Sequence, residues 1–283
     1  MHLYKTSEGN FFVHNKNAYR IKQDWDTIIN HDNLYTYLVG ITEKYEEVAP
    51  EILKAAIVSN LLAPIGSQEL WAAGVTYLRS RDARMEESKS SGASDCYQQV
   101  YDAERPELFF KSLAHRVSAH KEPVNIRKDS VWNVPEPELT LLINSKGRIN
   151  GYTIGNDMSS RSIEGENPLY LPQAKMYERA AALGPCIFVT EEPISPSTII
   201  DLNIERNGQS VFTGQIALDR MKRAHTELVS FLFRGFRFPN GVMLMTGTGV
   251  VPPDDFTLKA GDEVNIMIQG IGTLTNTVAI LDL

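Results

Sequence analysis

A β-hairpin pattern between Pro135 and Asp157 constrains the fold of this chain more than any other segment. Two apolar runs, Leu139–Ile143 and Ile149–Ile154, flank the turn-forming sequence Asn-Ser-Lys-Gly-Arg at 144–148. Apolar runs of this length, separated by a short loop that contains Asn and Gly, are typical of two antiparallel strands. The sequence therefore predicts a paired strand unit near the middle of the chain, with polar residues at its open end.

The hairpin pattern brings three carboxylates together. Glu136 and Glu138 project from the same face of an extended strand, because side chains alternate between the two faces. If Asn144 lies opposite Ile149, the numbers of paired residues sum to 293, and Asp157 falls opposite Glu136. The Cβ atoms of directly opposed residues lie about 4.5–5.5 Å apart. We therefore expect the three carboxylates to converge on one point.

Three carboxylates at this distance repel one another unless they hold protons, face basic side chains or bind a cation. An all-oxygen ligand set suits Mg²⁺, Mn²⁺ or Ca²⁺ better than it suits zinc. The alternative interpretation is a solvated strand edge that carries two glutamates. On these residues alone, both interpretations stay open.

Other polar residues are candidates for chemistry beside the carboxylates. Lys175 follows Asp157 by eighteen residues. A lysine close to a divalent cation loses its proton more readily, which suits acid–base catalysis. Arg161 could bind an anion, and the small residues of Met245–Gly249 could present backbone N–H groups to a carboxylate. Each also has a simple structural interpretation, as a surface side chain or a strand-ending turn.

The remaining pattern predicts many strands and few helices. We expect strands over Asn10–Val13, Ala18–Ile21, Ile199–Arg206, Gln209–Thr213, Glu263–Ile268 and Leu274–Leu281, and helices over Asp24–Val39, Pro50–Ser59 and Leu218–Phe233. Runs of strands with few helices between them favour an α+β fold with antiparallel or mixed sheets. A strand and turn over Leu61–Gly66 suggests a boundary, with a small N-terminal subdomain at 1–65 and a larger domain at 66–283. The charged segment 79–107 is either a mobile lid or a surface excursion.

Composition excludes several functional classes. The chain has 283 residues, a net charge of −7 and two cysteines. An acidic protein is a poor general nucleic-acid binder, and two cysteines are too few for a disulfide framework or a cysteine zinc site. The sequence shows no signal peptide, no apolar run of the roughly 18 residues that a membrane helix needs, and no dinucleotide-binding fingerprint. We expect a cytoplasmic protein whose partner is a small molecule, with no nucleic acid and no membrane.

A set of motifs in a fixed order resembles the fumarylacetoacetate hydrolase superfamily, from about Trp71 to the C-terminus. These motifs are Gly74-Val75-Thr76-Tyr77, Pro106-Glu107-Leu108-Phe109-Phe110-Lys111, Glu136-Pro137-Glu138-Leu139, Gly151–Asp157, Gln173-Ala174-Lys175, Leu183-Gly184-Pro185 and Thr246-Gly247-Thr248. The resemblance implies an α+β fold built as a mixed β-sandwich roll, with a small N-terminal α/β subdomain. It also implies a homo-oligomer, a dimer or a tetramer, and Mg²⁺ bound by Glu136, Glu138 and Asp157, with Mn²⁺ or Ca²⁺ as substitutes.

One departure from the family pattern bears on the reaction. Hydrolases of this family usually carry a histidine and a glutamate at the positions of Ser80 and Ala83, and Thr76 stands where they have an asparagine. The histidine and glutamate activate water, so their replacement puts hydrolysis in doubt. Three segments, 101–111, 135–139 and 166–173, resemble the dehydratases of this superfamily that act on 2-keto-3-deoxy sugar acids, and the last is longer than the general family motif.

The resemblance implies a Mg²⁺-dependent dehydratase that converts 2-dehydro-3-deoxy-D-arabinonate to 2,5-dioxopentanoate and water through a metal-stabilised enolate. Lys175 is the expected acid–base group and Glu107 a second one. The expected substrate contacts are Thr248, Gly247, Arg161, Gln173, Lys111, Ser80 and Arg81, with Arg84 as an alternative to Arg81. Two other functions stay open: an acylpyruvate hydrolase or oxaloacetate decarboxylase, and a binding protein without catalysis.

Overall fold

The structure, a computed structural model, describes residues 1–42, 44–79, 85 and 94–282. Its strands are β1 (His2–Thr6), β2 (Gly9–His14), β3 (Asn17–Ile21), β4 (Glu47–Val48), β5 (Glu69–Gly74), β6 (Glu107–Leu113), β7 (Val117–Ser118), β8 (Val124–Arg127), β9 (Asn133–Val134), β10 (Pro137–Ile143), β11 (Ile149–Asp157), β12 (Ser159–Ser160), β13 (Ala181–Phe188), β14 (Ile199–Arg206), β15 (Gln209–Ala217), β16 (Val242–Met245), β17 (Glu263–Ile268) and β18 (Gly272–Leu281). Its helices are α1 (Trp25–Ile29), α2 (Leu34–Ile41), α3 (Pro50–Asn60), α4 (Ser94–Asp102), α5 (Arg161–Glu166), α6 (Leu171–Lys175) and α7 (His225–Leu232). Among these, no helix is long and apolar enough to cross a membrane.

The strands form two large sheets and a short ribbon. The larger sheet has the order β4-β3-β2-β1-β13-β11-β10-β16-β5-β6, with β7 beside β13, and the second has the order β15-β14-β17-β18-β8. Strands β16 and β5 pair in parallel, as do β13 with β7 and β18 with β8, whereas neighbouring hairpins pair antiparallel. These mixed sheets with few helices confirm the expected α+β class.

The larger sheet is buried on both faces. One face packs on the second sheet, where Leu141 of β10 shares a core with Leu202 and Ile266. The other face packs on the N-terminal helices, where Leu142, the next residue of β10, shares a core with Ile28 and Leu38. Because side chains alternate along a strand, a strand covered on both faces is apolar throughout. The hairpin that carries the carboxylates is therefore held in the middle of the molecule.

The register of the β10–β11 hairpin is the one that the sequence predicts. Pro137 pairs with Asn156 and Leu142 with Gly151, so the paired numbers sum to 293, and the Asp157 N–H donates to the Glu136 carbonyl oxygen over 2.9 Å. At the turn, however, Ile143 rather than Asn144 lies opposite Ile149, and a β-bulge next to it restores the predicted register. The assumption about the turn is wrong by one residue, but the position of Asp157 is confirmed.

Three local expectations need correction. The region 24–39 forms two helices instead of one, since the Asn33 side chain accepts the Thr36 N–H and begins α2 as an N-cap. The region 218–233 is a 3-10 turn followed by α7, and Leu61 forms a single bridge to Thr6 instead of a strand. The segment before residue 65 joins the larger sheet through β1 and β13. The boundary at 65 stays a prediction, and part of the proposed lid, at 80–84 and 86–93, lies outside the described residues.

Candidate metal centre

Glu136, Glu138 and Asp157 meet at the open end of the β10–β11 hairpin. One carboxylate oxygen from each lies within 4.8 Å of those from the other two, and all three side chains are buried. Together they line a small cavity whose other walls are Ala73, Gly74, Val75, Phe109, Gly247 and Thr248. Buried carboxylates this close together are strongly destabilising unless positive charge lies beside them.

Three buried basic side chains place positive charge beside the carboxylates of Glu136 and Asp157. Arg161, at the start of α5, donates to Glu136 Oε1 over 2.6 Å. Lys175, at the end of α6, lies between two carboxylates, with its Nζ 2.7 Å from Glu136 Oε2 and 3.4 Å from Asp157 Oδ2. Lys111 of β6 forms an ion pair with Asp157 Oδ1. Lys175 and Arg161 were expected as acid–base and substrate-binding groups, and the structure places both against Glu136, with Lys175 also beside Asp157.

Glu138 has a different environment. Its Oε2 atom accepts the Gly247 backbone N–H over 2.6 Å, and its side chain is fully buried. Burial raises the pKa of Glu138 well above its usual range, and the charges of Asp157 and Glu136 raise it further. A bound cation would favour the ionised form of this carboxyl and so offset the cost of ionising Glu138 inside the protein.

The Thr246–Thr248 turn shapes the cavity wall opposite the hairpin. Gly247 has a φ of +94°, and a Cβ atom built on it would lie 2.0 Å from Thr76 Oγ1. The Thr76 hydroxyl donates to the Thr246 carbonyl over 2.7 Å, and the Thr248 hydroxyl donates to the Val250 carbonyl over 3.1 Å. The turn presents a backbone N–H as expected, and that N–H faces Glu138.

The other expected site residues are distributed differently. Lys111 is fully buried and donates to the Met158 carbonyl over 3.1 Å and to the Lys175 carbonyl. The half-buried Glu107 pairs with Gly74, and a Cβ at Gly74 would lie 2.0 Å from Glu107 Oε2, so this carboxyl lies over a residue that lines the cavity. Gln173 is exposed on α6. Ser80, Arg81 and Arg84 lie outside the described residues.

Two buried tyrosines that sequence reasoning did not single out lie in the electrostatic field of the triad. Burial raises the pKa of Tyr177, and the charge of Asp157 raises it further. Burial also raises the pKa of Tyr77, followed by the charge of Glu138. Tyr77 belongs to the Gly-Val-Thr-Tyr motif, which could have indicated it, whereas nothing in the spacing around Tyr177 does.

The donor set fits a hard divalent cation. It consists of carboxylate oxygens on a rigid hairpin, and oxygen ligands are the ones that Mg²⁺ prefers. The cavity between them is about the size of a single water molecule. These three residues could therefore hold one small metal ion.

Comparison with known proteins identifies the family of the chain. The family model for the fumarylacetoacetate (FAA) hydrolase C-terminal domain matches residues 82–279. The "Probable 2-keto-3-deoxyxylonate dehydratase" of Haloferax volcanii is 45% identical over 233 residues, which cover 82% of this chain and 79% of that protein. The 2-dehydro-3-deoxy-D-arabinonate dehydratase of Saccharolobus solfataricus is 43% identical over 222 residues, which cover 77% of this chain and 74% of that protein.

A solved structure of 2-keto-3-deoxy-D-arabinonate dehydratase, complexed with magnesium and 2,5-dioxopentanoate, has the same fold. The two structures share a TM-score of 0.83 and 32% sequence identity, over 100% of this chain and 99% of that one. The family model alone spans more than half of the sequence, and the relatives match over most of it. The chain therefore belongs to the fumarylacetoacetate hydrolase family.

Proposed function

We propose that this protein is a Mg²⁺-dependent dehydratase that converts 2-dehydro-3-deoxy-D-arabinonate to 2,5-dioxopentanoate and water. The observation that carries the proposal is the buried triad with Lys175 Nζ placed against Glu136 and Asp157. Two relatives at 43–45% identity are named as dehydratases of 2-keto-3-deoxy pentonates, which supports this reaction over hydrolysis. The substitution of the hydrolase histidine by Ser80 is consistent with it.

The two relatives are named for acids derived from xylonate and arabinonate, yet one compound can satisfy both names. A 2-keto-3-deoxy pentonate has lost the stereocentres at C2 and C3, so only C4 remains chiral. Within the D series, the xylonate and arabinonate derivatives are therefore the same molecule. The proposed substrate is this single D-configured acid, and the configuration at C4 is the one that the site must select.

The metal would be held by Glu136, Glu138 and Asp157, for which Mg²⁺ is the proposed ion and Mn²⁺ or Ca²⁺ are the expected substitutes. When bound, Mg²⁺ supplies a Lewis acid for the carboxylate and keto oxygens of a 2-keto acid. Arg161 and Lys111 hold the outer oxygens of Glu136 and Asp157 and so fix the orientation of these carboxylates. A fixed arrangement of this kind lowers the reorganisation needed when the substrate arrives.

Loss of a C3 proton and of the C4 hydroxyl as water leaves a C3–C4 double bond conjugated with the keto group. C5 then loses a proton while C3 regains one, and the resulting C4–C5 enol takes a proton at C4 and releases its hydroxyl proton to give the aldehyde. We assign the removal of the C3 proton to Lys175 Nζ, because this group already lies beside the carboxylates. Glu107 is assigned the proton for the departing C4 hydroxyl, since its carboxyl lies over the cavity-lining Gly74. Thr248, Gly247 and the remaining expected substrate contacts stay proposals.

A product assay tests the function directly. Purified protein with Mg²⁺ should convert 2-dehydro-3-deoxy-D-arabinonate to 2,5-dioxopentanoate, identified by mass spectrometry. Glu138→Gln should abolish turnover because a metal ligand is lost, and Lys175→Met should lower kcat by roughly 10²–10⁴-fold because the acid–base group is lost. The exposed Glu51 provides the control, and Glu51→Gln should leave the rate unchanged.

Three outcomes would contradict the proposal. Equal activity after complete removal of divalent metal would exclude the metal mechanism. Cleavage of an acylpyruvate or decarboxylation of oxaloacetate, with no dehydration, would favour the hydrolase or decarboxylase. Thermal stabilisation by 2-keto acids with no consumption of any of them would indicate a binding protein.

A further inference from the structure

We propose that Lys111 is a positioning residue that limits Asp157 to one oxygen ligand and thereby favours Mg²⁺ over the larger Ca²⁺. This inference rests on the metal centre of the proposed function and concerns which ion that centre selects. It assigns Lys111 a role toward the metal instead of the expected role toward the substrate. It also narrows the expected set of substitute ions.

The contacts of Lys111 fix its ammonium group in one place. The side chain is fully buried, and an ammonium group has three N–H donors. The ammonium group donates to the Met158 carbonyl over 3.1 Å and to the Lys175 carbonyl, and it forms an ion pair with Asp157 Oδ1. These acceptors come from the end of β11 and the end of α6, so a shift of the ammonium group away from Asp157 would break contacts with both elements.

The same pattern occurs at all three carboxylates of the triad. Arg161 holds Glu136 Oε1 over 2.6 Å, and the Gly247 N–H holds Glu138 Oε2 over 2.6 Å. Each carboxylate therefore has one oxygen held by a donor other than Lys175, whose Nζ contacts the second oxygens of Glu136 and Asp157 at 2.7 Å and 3.4 Å. At most one oxygen of each can approach a cation, those of Glu136 and Asp157 only when Lys175 moves aside, so the triad offers up to three ligand atoms.

Ion size makes this limit selective. Mg²⁺ takes six oxygens at about 2.0–2.1 Å and keeps several positions for water or substrate, so three single oxygens serve it well. Ca²⁺ takes about six to eight oxygens at 2.3–2.6 Å, and it commonly gains them from carboxylates that bind through both oxygens. A site whose carboxylates can each bind through one oxygen only is therefore a poorer site for Ca²⁺ than for Mg²⁺.

The charge on Lys111 strengthens the effect. Asp157 Oδ1 is paired with a buried ammonium, and a divalent ion close enough to bind that oxygen would repel this ammonium at short range. Such repulsion is much stronger in the protein interior than in water, because the effective dielectric constant is lower. Removal of the Lys111 charge should free Oδ1 for a second metal bond.

Cation binding to metal-stripped protein tests the inference, with calorimetric titration of Mg²⁺ alone and of Ca²⁺ alone. In Lys111→Met, the affinity for Ca²⁺ relative to Mg²⁺ should rise about tenfold or more over the wild type, as expected if one extra carboxylate bond is gained. Arg161→Met, which frees Glu136 Oε1, should shift the ratio in the same direction. The control is Lys128→Met, because Lys128 is exposed and paired with Asp282, and its ratio should stay at the wild-type value.

The wild-type protein offers a measurement that does not depend on the folding of a variant. In infrared difference spectra, carboxylates that bind Mg²⁺ through one oxygen should show a wide splitting between their two stretching bands. A narrow splitting, typical of two-oxygen binding, would overturn the inference, as would an unchanged Ca²⁺ to Mg²⁺ ratio in folded Lys111→Met. Failure of either cation to bind the wild type would instead overturn the metal centre itself, which the product assay reports independently.

Discussion

Glu138 makes the stability of the metal-free protein depend on pH. Its pKa is raised by burial and by two neighbouring carboxylates, so the folded protein holds this proton in a range where the unfolded chain has lost it. Stability that is present below the usual glutamate pKa, about 4.3, is therefore lost as the pH rises through the higher pKa of the folded state. We expect the free energy of unfolding of metal-free wild type to fall over this range.

Urea unfolding of metal-stripped protein at several pH values measures this loss. In Glu138→Gln the decline should be smaller than in the wild type, because the ionisable group is gone. Added Mg²⁺ should restore wild-type stability most strongly at the higher pH values, where Glu138 must ionise. Parallel curves for wild type and Glu138→Gln would show that another group is responsible.

Gly247 is required both by its backbone and by its neighbour. Its φ of +94° disfavours a side chain, and a Cβ there would meet Thr76 Oγ1 at 2.0 Å. Gly247→Ala should lower the free energy of unfolding by roughly 2–4 kcal/mol and weaken Mg²⁺ binding, because the N–H that holds Glu138 must move. Chemical denaturation and Mg²⁺ titration measure the two effects.

Gly208 provides the matched control for Gly247. It also has a positive φ, +74°, but a Cβ there would have no neighbour within 4 Å. Gly208→Ala should cost only about 1 kcal/mol of backbone strain and leave Mg²⁺ binding unchanged. Equal losses in the two variants would mean that the contact with Thr76 is not important.

The sequence predicted where some site residues lie, but it did not predict the roles of residues whose contacts are made only in the tertiary fold. Strand alternation and hairpin register are local rules, so the amino-acid sequence alone was enough to place Glu136, Glu138 and Asp157 together. The partners of Lys111 are carbonyl groups at 158 and 175 that only the tertiary fold brings close. No spacing along the chain encodes such contacts, so the residue was expected near the site but its role was not.

At the scale of single elements, side-chain contacts account for two features that the sequence patterns did not predict, the bulge in β11 and the break between α1 and α2. The bulge in β11 places Asn150 between the paired positions, and its side-chain amide donates to the Ile29 and His31 carbonyls at and beyond the end of α1. The predicted turn pairing ignored this residue, and the bulge compensated for the error. The helix stop before Asn33 was readable from its side chain, since asparagine is a preferred N-cap. The apolar spacing across 24–39 concealed it.

His225, the first residue of α7, makes the stability of the folded protein sensitive to acid. Burial lowers the pKa of His225 to about 4, against roughly 6.5 in an unfolded chain. The lowered pKa means that stability is present above about pH 6.5 and is lost as the pH falls towards 4, because the unfolded chain takes up the proton first. Since the ring is only half-buried, we expect a loss of about 2 kcal/mol across this range.

The comparison of His225→Asn with the wild type isolates this contribution, since both carry the same carboxylates. The difference between the free energies of unfolding of the two proteins should change by about 2 kcal/mol between pH 7 and pH 4.5. The exposed His115 is the control, and His115→Asn should follow the wild type at both pH values. A difference that is constant with pH would exclude His225 as the source.

At the scale of the whole molecule, the fold class was readable from the sequence but the topology was not. The many apolar alternating segments predicted the α+β class with mixed sheets. The parallel pairing of β16 with β5, and the pairing of β1 with β13, join strands that are far apart in the chain. Local patterns identify strands but not their distant partners. The sequence patterns therefore did not predict that β10 is buried on both of its faces.

The shared core predicts that the chain unfolds as one unit. Leu3 and Phe12 of the N-terminal segment are buried in the same cluster as Leu183, Ile187 and Met243 of the remaining chain, and β1 is hydrogen-bonded to β13. Partial unfolding of 1–65 would expose this face of the larger sheet to water, at a large cost in apolar surface. We therefore expect a single calorimetric transition with equal calorimetric and van't Hoff enthalpies.

Leu3→Ala tests this coupling, because Leu3 is fully buried at the junction between the two parts. A leucine-to-alanine change in a core costs about 2–5 kcal/mol, which corresponds to roughly 4–10 °C for a domain of this size. The whole transition should move by that amount and stay single, and Mg²⁺ should still raise the melting temperature. The control is Val58→Ala, at a side chain that is 60% exposed on α3, and this change should leave the melting temperature nearly unchanged. Two transitions, of which only the first responds to Leu3→Ala, would instead show that 1–65 is an independent subdomain.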